Sequence, residues 1–436
     1  MSPENKIDWE KAMSRFLTIV LIGAGVGLNF VAHDALAEDA SSTTILPQTT
    51  IRFGGPDAVP SQLRNDARKK DTLTGQDVLL SYREWTERFR QRTGISYTLD
   101  YTTAGLFPSN TISGENSFTS GAVRFYGQWE LVGRGGDNTG TFVWKVENRH
   151  GYSGPPVSAA AADIGLAGAM LSSLSDAGNR LTNFYWKQNL RGGRLEIIGG
   201  MLDVTDWTDV YALASPWTGF FNFAFGTGGA AMALPDDAAL GLFVNGMITD
   251  NLYFVTGFAD ANADSTDPMN GFDTVGDGEF FKTLEIGWVT SQDRFYLDNT
   301  HLTLWHIDER QAAGVPDGWG VNFSYSRSFD EKWMPFFRAG YAKDGGTILQ
   351  KSVSAGFAHH FGAGDSLLGF GVNWGQPNET TYGSGLSDQY TIELFTRLQV
   401  SENIQITPDV QYIKNPALNP TANHSLVLGL RMRAVF

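Results

Sequence analysis

The sequence predicts an all-β chain, a 16-stranded antiparallel transmembrane β-barrel. Three observations carry that prediction. From Ile95 onward apolar and polar residues alternate with a period of two, in sixteen segments, most of them about ten residues long, the length a tilted strand needs to cross a bilayer. The links between these segments alternate between short and long. The composition suits many short strands and tight turns, with 13% aromatic residues and 50 glycines among 436 residues.

Bulk properties exclude several classes. Hydrophobic residues make up 42% and mean hydropathy is -0.19, too polar for a bundle of membrane helices. A net charge of -15 argues against a nucleic-acid partner. The chain has no cysteine, so disulfides and thiolate metal sites are out.

The N-terminus reads as an export signal over residues 1–37. Phe16 to Ala32, "FLTIVLIGAGVGLNFVA", is apolar, and Ala35-Leu36-Ala37 is a small-x-small cleavage site, so cleavage is expected after Ala37. Met13 is an alternative start to Met1, because it gives the apolar run a basic lead through Arg15.

Residues 38–94 form a lead. Its first part, 38–73, is polar and irregular, with a basic knot at Arg64, Arg68, Lys69 and Lys70. "TGQDVLLSYREWTERFRQRTG" then reads as an amphipathic helix capped by Thr74 and stopped by Gly94. Leu79, Tyr82, Trp85 and Phe89 share one face, while Arg83, Arg88, Arg90 and Arg92 line the rest. Such a helix either packs on the domain surface or docks at the mouth of a pore.

The barrel covers 95–436. Its strands are predicted at 95–104, 121–132, 140–149, 181–190, 193–202, 238–247, 251–260, 279–290, 300–308, 318–328, 332–343, 351–361, 366–375, 388–399, 403–413 and 424–436. Short links include Arg191-Gly192, "TDN" at 249–251, "DE" at 330–331, "GAGD" at 362–365 and "SEN" at 401–403. The others are mostly long: 105–120, 150–180, 203–237, 261–278, 309–317, 376–387 and 414–423. A soluble sandwich has no reason to alternate link length by parity, whereas a barrel with turns on one side of a membrane and loops on the other does.

Facing follows from the alternation. Phe125, Trp129 and Leu131 oppose Arg124, Gln128 and Glu130, and Phe142, Trp144 and Val146 oppose Lys145 and Glu147. Tyr390, Ile392, Leu394 and Leu398 oppose Glu393 and Arg397, and Ile404, Ile406, Val410 and Tyr412 oppose Gln405, Asp409 and Gln411. A face this charged on strand after strand fits a watery lumen, with the apolar face toward lipid. Trp129, Trp144, Trp288, Tyr341, Trp374 and Tyr412 sit near strand ends, where girdle aromatics belong. The closing "SLVLGLRMRAVF" puts aliphatics on the lipid side and Arg431 and Arg433 in the lumen.

Four stretches carry a resemblance: "NFYWKQNLRGGRLEIIGGMLDVTD" (183–206), "WTGFFNFAF" (217–225), "FVTGFADANAD" (254–264) and "DVQYIKNPALNPTANHSLVLGLRMRAVF" (409–436). The chain resembles the carbohydrate-selective porins of the glucose-porin (OprB) family. That resemblance implies an outer-membrane barrel for passive uptake of monosaccharides such as glucose, with a short periplasmic helix before the first strand. It also implies that the strand ending at Phe436 is read by barrel-assembly machinery. Outer-membrane lipid and lipopolysaccharide are expected neighbours, and the assembly is a monomer or a homotrimer.

The link 203–237 is too long for an ordinary connection, and its seven aromatics between Trp207 and Phe225 cannot all hang in water. In porins the third long loop folds into the barrel and narrows it, and by count this is that loop. Candidate residues along the solute path are Asp203, Asp206, Trp207 and Asp209 in the loop. On the wall, parity selects Arg124, Glu130, Lys145, Glu147, Arg194, Glu196, Glu285, Trp305, Arg338, Glu393, Arg397, Asp409, Arg431 and Arg433. Arginine offers a rigid fork of donors that can bridge neighbouring sugar hydroxyls, and carboxylates accept. For any one of these residues, pairing within the wall is the plainer role.

Other motifs fail. Asp260, Asn262 and Asp264 echo a calcium loop, but Ser265 and Gly271 stand where glycine and glutamate are needed. His359 and His360 are adjacent in a strand and point apart. No G-x-S-x-G occurs. No catalytic residue, cofactor or metal is expected. The alternatives are a general or anion-preferring porin of the same build and a secreted soluble β-protein that binds glycans.

Overall fold

The structure is a computed structural model that describes residues 53–75, 77, 79–361 and 366–436. The predicted signal segment, its cleavage site and residues 38–52 lie outside the described residues.

Sixteen strands form one closed antiparallel barrel in which each strand pairs with its sequence neighbours and β1 closes on β16. They are β1 Ile95–Pro108, β2 Phe118–Val132, β3 Thr139–Gly151, β4 Gly178–Leu190, β5 Leu195–Leu202, β6 Ala239–Met247, β7 Leu252–Asp260, β8 Phe280–Val289, β9 Asn299–Ile307, β10 Gly318–Ser326, β11 Trp333–Asp344, β12 Leu349–His360, β13 Leu367–Pro377, β14 Gln389–Ser401, β15 Ile404–Lys414 and β16 His424–Val435. Closure matters physically, because an open strand edge in hydrocarbon would leave backbone groups without partners. Phe436 belongs to that closure: its N–H and carbonyl bond the backbone of Leu99 at 2.8 and 3.2 Å.

Every strand lies at its predicted place. The alternation of link lengths holds with two exceptions. The β11–β12 link on the long side is only 345–348, and the β8–β9 link on the short side spans 290–298. The second is longer because Phe295 turns inward and is fully buried beneath the inserted N-terminal chain, 5.4 Å from Phe53.

The apolar face is outside. Ile286, Leu302 and Leu304 are 50%, 47% and 48% exposed, while Arg124 and Arg431 are 0% and 1% exposed. Burying the leucine rows centrally would have inverted this pattern; the core instead lies inside the barrel, built from inward residues and inserted chain. Glycine makes room for the girdle. At Gly127 the Trp144 ring lies where a side chain would project.

Among the described residues two helices precede β1. The first, α1 (Val59–Ala67), lies inside the barrel against β1, β2 and β3. Here the structure corrects the irregular lead expected over 38–73. Pro60 starts the helix, and Val59, Leu63 and Asp66 recur at three- to four-residue spacing on a buried face. The surrounding basic residues hide that short pattern in the sequence. The second, α2 (Leu80–Thr93), runs along the short-turn rim. It begins later than expected. Leu79 takes the cap position with no side-chain bond, and Thr74 spends its hydroxyl on the Val400 carbonyl at 2.9 Å. Gly94 ends the helix at φ 78°, a conformation only glycine adopts cheaply.

Leu394 sits midway along β14 with its side chain 43% exposed toward lipid. Leu394→Arg should lower barrel stability in vesicles by about 2–4 kcal/mol, the cost of a cation near the bilayer midplane. Urea unfolding of the refolded protein measures this; a change near zero would place that face out of the hydrocarbon.

Candidate functional site

The loop between β5 and β6, residues 203–238, lies inside the barrel and is almost wholly buried. Its backbone is fixed by charged side chains of the wall. Arg338 on β11 donates to the carbonyls of Gly226 and Asp209 at 2.8 and 3.1 Å and pairs with the Asp209 carboxylate. Arg397 on β14 donates to the Thr218 carbonyl at 3.0 Å. Arg431 on β16 donates to the carbonyls of Pro216 and Gly219 at 2.7 and 3.0 Å. Between them Glu393 accepts the N–H groups of Phe221 and Asn222 at 2.5 and 3.0 Å. An irregular segment in a lumen has backbone groups that no ladder satisfies, and these four side chains meet that need. Aromatic rings fill the spaces: Phe220 packs on Phe225, Phe336 and Phe395, and Phe221 lies 4.5 Å from the Arg431 guanidinium.

Beside the loop, the lumen also holds α1. Asp66 receives Arg433 at 3.0 and 3.1 Å and the hydroxyl of Tyr126. Arg433 also reaches Asp100 at 2.6 Å, and Asp100 forms a second pair with Arg124. Arg124 lies 3.8 Å below the ring of Trp217. The network thus ties α1, three adjacent strands and the inserted loop into one unit. Gly55 donates to the Asp206 carbonyl at 2.7 Å, and Asp57 accepts from Ser215 at 2.6 Å. Where the chain leaves the lumen, Lys70 bonds the Asp66 and Glu402 carbonyls at 3.2 and 3.3 Å.

The second long link, 152–177, also turns inward. Met170 bridges to Asn222, and Gln389 brackets the backbone of Ala167 at 3.1 and 2.7 Å. Between the 203–238 loop and β10–β12 a small cavity of about 10 Å3 remains, bordered by Asp209, Asn322, Arg338, Ser352 and Ser354.

Most of the candidates chosen by parity face the lumen. Lys145 lies 3.9 Å from Asp203, and Lys187 lies 3.8 Å from Glu196, which also accepts from Asn245 at 3.2 Å. Glu147 pairs with Arg149 at 2.7 Å. Glu285 accepts from Asp209 N–H, Tyr253 and Thr303 at 2.8, 2.7 and 2.7 Å. Asp409 accepts from Gln411 at 2.9 Å. Trp207 packs on Tyr185 and Phe243, and Trp305 donates to Asn322 at 3.1 Å; both are wall filling.

Two candidates do not join the set. Arg194 lies one residue before β5 in a rim turn, where it pairs with exposed Asp250 at 2.8 Å. Glu130 lies at the short-turn rim beside a register shift, its N–H bonded to Gly94 at 3.0 Å. Sequence reasoning missed Asp57, Asp66, Asp100, Tyr126 and His301. Strand parity flags Asp100 and Tyr126 as inward, but Asp57 and Asp66 sit in a lead that carries no strand signal.

Comparisons with known proteins agree with this geometry. The family model described as "Carbohydrate-selective porin, OprB family" matches residues 88–314 and 317–436. The chain belongs to the carbohydrate-selective porins of the OprB family. It is a sugar-selective outer-membrane porin. Among solved structures it is similar to Pseudomonas putida OprB at high pH, with TM-score 0.64 and 16% identity over 84% of this chain and 99% of that one. A variant of the Rh. blastica porin aligns at TM-score 0.49 and 13% identity over 78% of this chain and 100% of that one. No curated protein matches the sequence.

Two loop acids differ in electrostatic setting. Burial opposes the Asp209 charge, but Arg338 and His301 together hold its carboxyl below the usual range. Burial pushes the Asp206 carboxyl well above it, aided by Asp203 and opposed by Lys145. The folded porin therefore keeps a proton on Asp206 that the unfolded chain loses above about pH 4, so this group's contribution to stability falls as pH rises from there. Asp206→Asn should be more stable than the parent at pH 8 by about 1.4 kcal/mol or more, the linkage cost of a single tenfold rise in proton affinity, and should match it below pH 4. Urea unfolding at both pH values measures this; a pH-independent difference would contradict the assignment.

Proposed function

We propose that the solute is a monosaccharide such as glucose, moving passively, with the 203–238 loop as the constriction. The short turns then face the periplasm, the signal is cleaved after Ala37, and the strand ending at Phe436 is the part read by barrel-assembly machinery. The observation that carries the reading is the state of the lumenal charges. Arg124, Arg338, Arg431 and Arg433 all donate to carboxylates or carbonyls of the chain itself. A lumen neutralised in this way offers hydroxyl-sized polar groups without a standing attraction for anions. It favours a neutral solute over the anion-preferring alternative. The exposed leucine and tryptophan rows argue against the soluble glycan binder.

α1 is seated in the lumen by Asp66, Tyr126 and Arg433, and we propose that it narrows the passage and leaves that seat when solute crosses. Weak, reversible contacts suit a solute that must both enter and leave; the buried ionic seat of α1 is the stronger obstacle.

Liposomes containing the protein should swell faster in isotonic glucose than in gluconate of similar size. Equal rates would defeat sugar selectivity. Asp66→Ala strips α1 of its pairing with Arg433 and Tyr126, and losing one partner of a buried pair costs about 3–5 kcal/mol. Single-channel recordings should then show a larger or more frequently open conductance. Currents equal to those of the parent would mean that α1 is not the obstruction.

A further inference from the structure

The rim helix α2 is 14 residues long and contains no buried side chain. A helix this short is marginal on its own in water, and nothing in the barrel core holds it. Its aromatic stripe is nonetheless part of a continuous row. Tyr82 stacks on Trp85 at 6.0 Å and Trp85 on Phe89 at 5.5 Å, and Phe89 meets Tyr97 of β1 at 6.2 Å. Tyr97 meets Phe125 of β2 at 6.0 Å, and Phe125 meets Trp144 of β3 at 6.2 Å. Phe142 of the same strand then meets Phe184 of β4 at 4.6 Å. Phe125 and Phe184 are outward residues on the lipid face. The row therefore runs unbroken from the lipid-facing wall onto the helix, where Tyr82 and Trp85 are 37% and 43% exposed.

The helix is fixed at both ends in the plane of the rim. Arg83 bonds Glu402 in the β14–β15 turn at 3.2 Å, and the Trp129 indole donates to the Thr93 carbonyl at 3.2 Å. Trp129 is itself a girdle residue, 40% exposed. At 100° per residue Arg88 and Arg92 project beside the Trp85–Phe89 stripe. Both are exposed, as is Arg134, which reaches the Arg92 carbonyl at 3.2 Å. Glu87 lies on the far side, paired with Arg90 at 2.6 Å, while exposed Glu84 makes a loose surface pair with Arg88 at 3.9 Å that headgroups can displace. Aromatic rings at the interface with arginines just above them are what an interfacial amphipathic helix presents to a headgroup layer.

We propose that α2 is a membrane-interface helix that binds anionic phospholipid headgroups at the short-turn rim through Arg88, Arg92 and Arg134, with Tyr82, Trp85 and Phe89 in the lipid. The assignment rests on the short turns facing the inner leaflet, where phospholipid is the available phosphate. α2 directly follows the chain that leaves the lumen, so its lipid contact would also fix one end of the α1 seat.

The absence of native cysteine makes the test direct. Trp85→Cys, labelled with an environment-sensitive fluorophore, is refolded as the full chain into vesicles of phosphatidylcholine with or without phosphatidylglycerol. Barrel formation is checked by heat-modifiable mobility. Ala312→Cys in a long loop and Val410→Cys on the lipid face are the water and hydrocarbon references. The expected result is blue-shifted emission at position 85, quenched by lipids brominated near the headgroup, with more quenching when phosphatidylglycerol is present. Arg88→Glu with Arg92→Glu in the labelled chain should abolish that phosphatidylglycerol dependence. Emission like that at position 312 in both vesicles overturns the proposal. Equal quenching with and without phosphatidylglycerol overturns its headgroup part. A shift that disappears when the protein is diluted in the vesicles also overturns it, by making the face a contact between copies. Slower glucose swelling would bear on the proposed solute and not on this surface, because the probe reports helix depth alone.

Discussion

Arg433 shows the constraint on which the rest of the structure depends. It lies on the closing strand, faces the lumen, and holds Asp100 on β1 and Asp66 on α1. Lipid demands an apolar exterior, so strand alternation forces the remaining polar and charged residues inward. Inside, those charges need partners, since an unpaired buried ion is far more costly than a paired one. The chain supplies them from its own inserted segments. Backbone carbonyls of the 203–238 loop, the Asp66 carboxylate of α1 and acids of neighbouring strands absorb nearly every lumenal guanidinium described above. The wall and the inserted chain therefore depend on each other.

This arrangement changes what the lumenal arginines do. As isolated residues on a wall they suit a ligand's hydroxyls. In place, Arg338, Arg397 and Arg431 hold the loop by its main chain, and Glu393 holds it from the acceptor side. Under the proposed function a solute would meet the surface that these anchors shape rather than the guanidiniums as free forks. The loop's aromatics act in the same sense: Phe220, Phe221 and Phe225 lock into the wall of β11–β16, and Trp207 into that of β4–β6.

The barrel itself was legible in the sequence because one physical rule, lipid outside and polar inside, is written at every second residue for sixteen strands. Leu426 to Phe436 displays it in a single line. The inward loop was legible for a different reason: a long link rich in Trp and Phe has nowhere else to put them. Partners were not legible. Parity places Arg431 and Glu393 in the lumen but says nothing of which backbone they meet. Arg194 shows how a one-residue shift at a strand end moves a side chain from the wall into a turn. The inserted α1 was hidden because its buried face is short and its flanks, Arg64 to Lys70, read as solvated charge.

The central claim is that charged side chains of the wall hold the inserted loop by its backbone. Hydrogen exchange followed by mass spectrometry on peptides covering 214–230 tests it most directly. The amides of Phe221 and Asn222, bonded to Glu393 of the wall, should exchange as slowly as the strand ladders around them. Exchange as fast as that of the exposed link at 309–317 would contradict the account.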